Sequence, residues 1–195
     1  EENSILIGER WEMTINPEKS SEYPAVGLFK QDGNKVTGTI LTKVSDYRFF
    51  EGIVQGNKIE MSTFDGVHSF LLRGTYDEES QSWSGDLVLD DNYSRPWTGV
   101  RNNSATLPDP FDMVDLTDKD IQPEFDKIAA LSSQKVDQSD FIGKPLIIQL
   151  MGTWCSNSQD QSRYLVKWVS ENPDKDIQII AVNYEANYSE EYALS

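Results

Sequence analysis

Apolar and polar residues alternate in eight short segments that fill the first half of the chain. Alternation with a period of two is typical of a β-strand with one buried face. Asp, Asn and Gly separate the segments, and Asp32-Gly33 is a strong signal for a tight hairpin. The segments are residues 11–15, 25–29, 36–42, 47–54, 58–64, 67–76, 83–89 and 97–100. The pattern predicts an antiparallel all-β domain.

Eight strands joined in sequence by hairpins suit either an up-and-down β-barrel, lipocalin-like or streptavidin-like, or a two-sheet sandwich. Closing the sheet removes its exposed edges, which favours the barrel. Aromatic residues at alternating positions are more often packed core than pocket lining, although a barrel of this size can also hold one small ligand. These aromatic residues are Trp11, Phe29, Tyr47, Phe49, Phe64, Phe70, Trp83 and Trp97.

The pattern changes in the last part of the chain. Two apolar runs, residues 145–151 and 177–182, flank a segment with apolar residues at helical spacing: Tyr164, Leu165, Trp168 and Val169. Pro173 predicts that this helix ends just before it. Strand, helix and strand predict a βαβ unit with parallel strands that are covered on both faces. We therefore expect a two-domain β + α/β fold, with domains at residues 1–104 and 105–195.

The segment between the two patterns is predicted to be a linker, because residues 103–110 are polar and contain two prolines. Five aspartates at or after its end lack the glycine and the final glutamate of a calcium loop, so they predict a solvated acidic face. They are Asp109, Asp112, Asp115, Asp118 and Asp120. We expect a strand at 111–116. Residues 121–131 predict a short helix or, in part, an edge strand of the second domain.

Cys155 is the single cysteine of the chain, and it lies where the first predicted strand of the βαβ unit meets the helix. The first turn of a helix favours negative charge, which stabilises a thiolate. A lone cysteine is more often a small buried hydrophobic residue. The flanking Trp154 and the polar Ser156, Asn157 and Ser158 favour a reactive cysteine.

At these residues the chain resembles the TlpA/ResA-type thiol-disulfide oxidoreductases, which have a thioredoxin-like fold. Residues 152–155, Gly-Thr-Trp-Cys, match the start of their active-site motif, and residues 136–144 match the segment before the first strand. Phe29 and residues 38–42 and 46–52 resemble the domain that precedes the thioredoxin-like half in envelope proteins of the Bacteroidetes. The resemblance implies Cys155 as catalytic nucleophile, Ser158 at the second catalytic position, envelope protein thiols or disulfides as partners, and a periplasmic or cell-envelope location.

Two positions depart from the family pattern. Ser156 replaces the usual proline, and Ser158 replaces the second, resolving cysteine. Disulfide exchange needs a second thiol to resolve the mixed disulfide, so a two-cysteine cycle within this chain is excluded. A one-cysteine reaction with an external thiol, a trapped mixed disulfide and the absence of redox chemistry remain open.

The chain stops before the remaining helix, strand and hairpin of a thioredoxin-like domain. We therefore expect an incomplete thioredoxin-like unit, either a fragment of a longer protein or a sheet completed by another copy. The alternative function is a non-catalytic binding module, in which the barrel binds a small ligand or a protein and the thioredoxin-like half is degenerate.

The charge narrows the range of partners. With 33 acidic and 17 basic residues the net charge is −16, which argues against nucleic acid as a partner. No apolar run approaches the ~20 residues of a membrane-spanning helix. We expect no cofactor and no metal site, because His68 is the only histidine and its neighbouring carboxylates are scattered.

Overall fold

The computed structural model describes residues 5–90, 93–115 and 138–184. The chain divides into two compact units, Glu1–Asp115 and Leu116–Ser195, and each is described by itself. The predicted domain boundary at residue 104 lies slightly before this division. The predicted segment at 121–131 lies outside the described residues.

The first unit contains a closed antiparallel barrel of eight strands in sequence order. The strands are β1 (Glu9–Ile15), β2 (Tyr23–Asp32), β3 (Lys35–Thr42), β4 (Phe50–Gln55), β5 (Lys58–Phe64), β6 (Ser69–Asp77), β7 (Ser82–Leu89) and β8 (Tyr93–Arg101). The barrel is closed because β1 pairs with β8 as well as with β2, from Trp11 opposite Arg101 to Ile15 opposite Trp97. The predicted barrel is therefore confirmed, and the two-sheet sandwich is not formed.

Alternation along the strands fills the interior of the barrel with apolar side chains. In β5, for example, Ile59 and Met61 are buried, while their neighbours Lys58, Glu60 and Ser62 are exposed. The buried cluster consists of Ile7, Trp11, Met13, Ile15, Ala25, Phe29, Val36, Ile40, Phe50, Val54, Ile59, Met61, Leu72, Trp83, Leu87 and Trp97. Burial of this apolar surface is the main stabilising contribution to the barrel.

Two of the hairpins turn on a glycine with positive φ. Asp32 pairs with Lys35, so Gly33 (φ 61°) and Asn34 form a two-residue loop. Gln55 pairs with Lys58 in the same way, with Gly56 at φ 57°. Glycine suits the first loop position because it has no Cβ to oppose a left-handed backbone. The hairpin predicted from Asp32-Gly33 is confirmed.

The predicted strand at 47–54 begins too early, because β4 starts at Phe50. The backbone of Arg48 has φ 58°, a left-handed conformation that interrupts an extended strand. The carboxylate of Asp46 accepts a hydrogen bond from the Arg48 amide at 2.8 Å and stabilises the turn. Tyr47 therefore belongs to a loop at the end of the barrel, where it packs against the core.

The segment after β8 is fixed to the barrel at its start. Ala105 is buried, and its carbonyl accepts a hydrogen bond from Nη1 of Arg10 at 2.7 Å. Pro110–Met113 forms a 3₁₀-helix that is capped by the Asp109 side chain, which accepts from the amide of Phe111. The strand predicted at 111–116 is therefore wrong over its described residues, because proline and a capping aspartate favour a helical turn.

The second unit contains a parallel pair of strands joined by a helix. These elements are β9 (Leu146–Met151), α1 (Ser156–Glu171) and β10 (Gln178–Asn183), with 3₁₀-helices at Gln138–Phe141 and Pro173–Lys175. β9 and β10 pair in parallel from Leu146 opposite Gln178 to Met151 opposite Asn183. The helix ends before Pro173 as predicted, and both predicted strands are present with small differences at their ends.

Burial in β9 differs from the sequence prediction. The strand was expected to be an apolar run, yet its most buried residue is the polar Gln149, at 5% exposure. Leu150 is 76% exposed and Ile148 is partly exposed, so within the described residues only one face of the strand is covered. In α1, Leu165, Trp168 and Val169 are half-buried as the helical stripe predicts, whereas Tyr164 is exposed.

Candidate functional site

Cys155 lies between β9 and α1, where the sequence places it, and it is the N-cap residue of the helix. Its backbone is extended (φ −105°, ψ 108°), and its carbonyl accepts the first helical hydrogen bond from Gln159 at 3.1 Å. The thiol is free and half-buried, and the Cys155 side chain forms no capping hydrogen bond to the helix. The sulfur is therefore next to the end of the helix where backbone N–H groups favour an anion.

Trp154 fixes the loop that carries Cys155. Its indole Nε1 donates a hydrogen bond to the carbonyl of Tyr184 at 3.0 Å, and the Tyr184 amide donates to the Met151 carbonyl at 2.7 Å. The loop after β9 is thereby attached to the residue that follows β10. The ring is 45% exposed, so Trp154 also contributes apolar surface beside the cysteine.

Gly152 is required by the position of the Trp154 ring. A Cβ atom on Gly152 would lie 2.6 Å from Cε2 of the indole, which is closer than side-chain atoms approach. The Cys155 amide donates to the Gly152 carbonyl at 3.1 Å and closes a tight turn between the strand and the helix. The Gly-Thr-Trp-Cys sequence is therefore one packed loop in which the ring lies against the glycine backbone.

Ser158 lies in the first turn of α1, three residues after Cys155, and is half-buried. Its carbonyl accepts hydrogen bonds from Nε2 of Gln149 at 3.0 Å and from the Ser162 hydroxyl at 2.9 Å. The Ser162 hydroxyl is also 3.1 Å from Oε1 of Gln149. These contacts connect the buried amide of β9 to the first two turns of the helix.

The five residues predicted for the site, from Trp154 to Ser158, therefore form one continuous loop and helix start. Ser156 and Asn157 are the first two residues of α1, and both are half-buried. Sequence reasoning missed Gln149, Gln159 and Ser162 as supporting residues. Gln159 reaches back to the Thr153 carbonyl at 3.3 Å. A glutamine inside an apolar strand was the one signal that could have identified Gln149.

The charge near the cysteine also favours an anion. The first turn of α1 contains no acidic residue. The nearest carboxylate along the helix, Asp160, is paired with Nη1 of Arg163 at 2.9 Å. A negative charge on the sulfur would therefore meet no opposing carboxylate from that turn.

The barrel has no comparable reactive group among its described residues, but it has a groove on its outer wall. The groove has a volume of about 680 Å³ and lies over β1 to β4. Its apolar surface includes Leu28 and Phe49, of which Phe49 is 82% exposed. The predicted aromatic core is confirmed for Trp11, Phe29, Trp83 and Trp97, whereas Phe49 and Phe64 are exposed.

His68 lies in the loop between β5 and β6, with Nδ1 at 3.4 Å from the carboxylate of Asp65. The same carboxylate accepts hydrogen bonds from the amides of Val67 and His68, so it acts as the cap of this turn. Within residues 5–90, 93–115 and 138–184, no three His, Cys, Asp or Glu residues are placed to hold a metal ion.

No family model matches the chain, and no curated protein matches it. Among solved structures, a redesigned β-barrel is similar, with 15% sequence identity and a TM-score of 0.39. The match covers 49% of this chain and 91% of the redesigned barrel. In the part of the chain that the structure describes, no helix is long and apolar enough to cross a membrane.

Proposed function

We propose that this chain is a thioredoxin-like cell-envelope protein, related to the TlpA/ResA-type thiol-disulfide oxidoreductases, in which Cys155 is the single nucleophile. The observation that carries the proposal is the position of Cys155 as the N-cap of α1, directly after a strand of a parallel pair. Thiolates at helix N-termini are stabilised by the helix dipole and by the N–H groups of the first turn.

The order of elements supports this reading. β9, α1 and β10 form a βαβ unit, and the resemblance at residues 152–155 is to proteins with their reactive cysteine between such a strand and helix. The loop geometry gives the motif a physical basis, because Gly152 accommodates the Trp154 ring and that ring holds the loop to Tyr184. We interpret the second unit as part of a thioredoxin-like domain.

The chemistry available to one cysteine is thiol-disulfide exchange with external partners. The Cys155 thiolate attacks one sulfur of a partner disulfide, a new S–S bond forms, and the other sulfur leaves as a thiolate that takes a proton from water. An external thiolate then attacks the partner sulfur of the mixed disulfide, forms an S–S bond with it and releases the Cys155 thiolate. One partner sulfur is reduced to a thiol and the external thiol is oxidised into the new disulfide, so the number of disulfide bonds and the electrons balance.

Ser158 determines how this cycle ends. A serine hydroxyl is not ionised near neutral pH and cannot displace the partner from Cys155. The mixed disulfide is therefore longer-lived than in a two-cysteine site, so Cys155 holds its partner covalently for longer. We infer that these partners are envelope protein thiols or disulfides. The family resemblance implies a periplasmic or cell-envelope location for this reaction.

The direct test measures how fast Cys155 reacts with 5,5′-dithiobis(2-nitrobenzoate). The rate in the folded chain is compared with the rate in the chain unfolded in urea at the same pH. Because Cys155 is the only cysteine, every thiol signal reports it. We expect faster reaction in the folded chain, since folding creates the helix N-terminus. A slower reaction in the folded chain would identify a merely buried thiol and overturn the proposal.

A second test restores the missing thiol. Ser158→Cys should allow an intramolecular disulfide with Cys155, so that release of a bound glutathione becomes independent of added thiol. The control is the double variant Cys155→Ser with Ser158→Cys, in which the second thiol remains and the attacking one is lost. Release that still requires external thiol in Ser158→Cys would show that the two positions do not act as a pair.

A further inference from the structure

A cationic side chain points into the barrel at one end. Arg95 in β8 is opposite Leu87 of β7, and it lies two residues before Trp97. Leu87 and Trp97 are both buried in the core, and the alternation of a strand puts Arg95 on the same inward face. The residue is half-buried, at the end of the barrel that carries the loops before β2, β4, β6 and β8.

Two tyrosine hydroxyls extend from this arginine in a hydrogen-bonded chain. Nη1 of Arg95 donates to the Tyr23 hydroxyl at 2.8 Å, and the Tyr23 and Tyr47 hydroxyl oxygens are 2.8 Å apart. The ring of Tyr93 lies 4.9 Å from the Arg95 guanidinium carbon, and Phe70 packs edge-on against Tyr47 at 5.2 Å. Arg95 is thus held in one orientation by aromatic side chains.

The charge of Arg95 has no carboxylate partner among the described residues, although the protein carries a net charge of −16. Three carboxylates in loops at this end serve other groups. Asp46 accepts from the Arg48 amide, Asp65 caps the loop of His68, and Asp90 accepts from Ser69. The rings of Tyr23 and Tyr93, at 5.8 and 4.9 Å from the guanidinium carbon, offset part of this charge, and an anion would supply the counter-charge that the described carboxylates do not.

The guanidinium of Arg95 is a donor that the surrounding hydroxyls use only in part. Its Nη1 donates to Tyr23, and it also interacts with the hydroxyls of Tyr47 and Tyr93, whereas Nε is shielded from water and has no acceptor. Burial and the Tyr23 hydroxyl raise the pKa of Tyr47 well above its ordinary value, so this hydroxyl keeps its proton at neutral pH. The two hydroxyls share one hydrogen bond, which leaves one hydroxyl proton available. Because the guanidinium has donors only and carries a positive charge, the cluster is better suited to an anionic acceptor than to a donor.

The size of the site follows from the packed core beneath it. Ile15, Leu72, Leu87 and Trp97 are fully or nearly fully buried, so a ligand can occupy only the end of the barrel. The aromatic rim there suits an apolar body, and a planar carboxylate matches the fork geometry of a guanidinium. We propose that Arg95 and Tyr47 bind the carboxylate of a small aromatic acid at this end of the barrel. This site does not rest on the thiol chemistry proposed for Cys155.

The test is a titration of the ¹⁵N-labelled full chain with benzoate, followed by NMR, with benzamide as the neutral analogue of the same shape. The Arg95 Nε–H signal is a suitable probe, since this atom is shielded from water. We expect saturable shifts of that signal and of the Tyr47 amide with benzoate, and at least tenfold weaker binding of benzamide. Equal binding of the two compounds, or no saturable shift with benzoate, would overturn the proposal.

Three variants assign the contacts. Arg95→Gln and Tyr47→Phe should each weaken benzoate binding about tenfold or more, as expected for loss of a hydrogen bond to a charged group. Arg73→Gln is the matched control, because Arg73 is exposed on the outer wall and pairs with Glu60 at 2.8 Å. Tyr47→Phe keeps the packed ring, so it decides the matter if Arg95→Gln fails to fold. Unchanged affinity in Tyr47→Phe, or an equal loss in Arg73→Gln, would contradict the assignment.

Discussion

The indole of Trp154 lies directly against the backbone of Gly152, and its Nε1 is bonded to the carbonyl of Tyr184. This pair connects the strand end, the cysteine loop and the residue after β10. It therefore fixes the loop that carries Cys155 through a contact that does not involve the sulfur itself.

Gly152→Ala should therefore disturb the loop through the ring of Trp154. The added methyl group cannot fit beside the indole, so the ring must move and lose its bond to Tyr184. We expect a loss of about 1–3 kcal/mol in the free energy of unfolding of the second unit, measured by urea titration.

The matched variant is Trp154→Phe, which removes the indole N–H but leaves an aromatic ring over Gly152. It should cost about 0.5–1.5 kcal/mol, the net value of one hydrogen bond. If Gly152→Ala proves no more destabilising than Trp154→Phe, the close contact between ring and glycine is not a constraint.

Gln149→Leu should destabilise the start of α1, although it replaces a polar residue by an apolar one in a strand. The change removes one of the two donors to the Ser158 carbonyl and the contact of the Ser162 hydroxyl with Gln149, while the bond between Ser162 and Ser158 remains. Loss of a hydrogen bond between groups that keep another partner costs about 0.5–1.5 kcal/mol. The measurement is urea unfolding together with the alkylation rate of Cys155 as a local probe.

Ser162→Ala in the same background completes a double-mutant cycle. Since both side chains belong to one network, the double variant should lose less unfolding free energy than the sum of the losses in the two single variants. Strict additivity would show that Gln149 and Ser162 act independently.

Trp83 and Trp97 provide a comparison inside the barrel. Both are buried, but Nε1 of Trp97 donates to the Arg73 carbonyl at 3.0 Å, whereas Nε1 of Trp83 has no partner. Replacement by Phe removes a satisfied donor at one site and an unsatisfied donor at the other. We expect Trp97→Phe to be more destabilising than Trp83→Phe by about 1 kcal/mol in thermal or urea unfolding of the barrel. The reverse order would contradict the assigned hydrogen bonds.

Tyr47 makes the free energy of unfolding of the barrel decrease as the pH rises in the alkaline range. Burial and the Tyr23 hydroxyl raise its pKa in the folded state from the ordinary 10.0, so the folded state holds this proton more tightly than the unfolded chain. The resulting stabilisation is complete below pH 10 and is lost as pH rises through the folded pKa. Urea unfolding at pH 8 to 11 should show the decline.

Tyr47→Phe cannot ionise at this position and should have a shallower decline above pH 10 than the parent chain. Tyr164→Phe is the control, because this tyrosine lies in α1 of the second unit and is not part of the barrel whose unfolding is measured. Identical profiles for the parent chain and Tyr47→Phe would exclude Tyr47 as the responsible group.

The barrel was largely predictable because alternation encodes burial residue by residue. Ile59 and Met61 are inside, and Lys58 and Glu60 are outside, as their types require. The failure at Tyr47 has a local cause, since the left-handed Arg48 and the Asp46 turn replace strand pairing by side-chain bonding. Side-chain hydrogen bonds in such turns compete with strand pairing, and the pattern of apolar and polar residues does not predict them.

The position of the site could be predicted from the sequence, but the hydrogen bonds that hold it could not. The change from an apolar run to helical spacing places Cys155 between a strand and a helix. The bond from Trp154 to Tyr184 joins residues 30 positions apart, and the inward position of Gln149 contradicts its polarity. Both depend on which segments become neighbours after folding, and a single sequence does not contain that information.

The pairing of β1 with β8 has a consequence for synthesis on the ribosome. Every other ladder joins neighbours in the sequence, so β1 to β7 can assemble as a growing meander while translation continues. The final ladder, with Trp11 opposite Arg101, must wait until residue 101 has left the exit tunnel. Until then both edges of the nascent sheet are available to other chains, and the arrival of β8 ends that exposure in a single step.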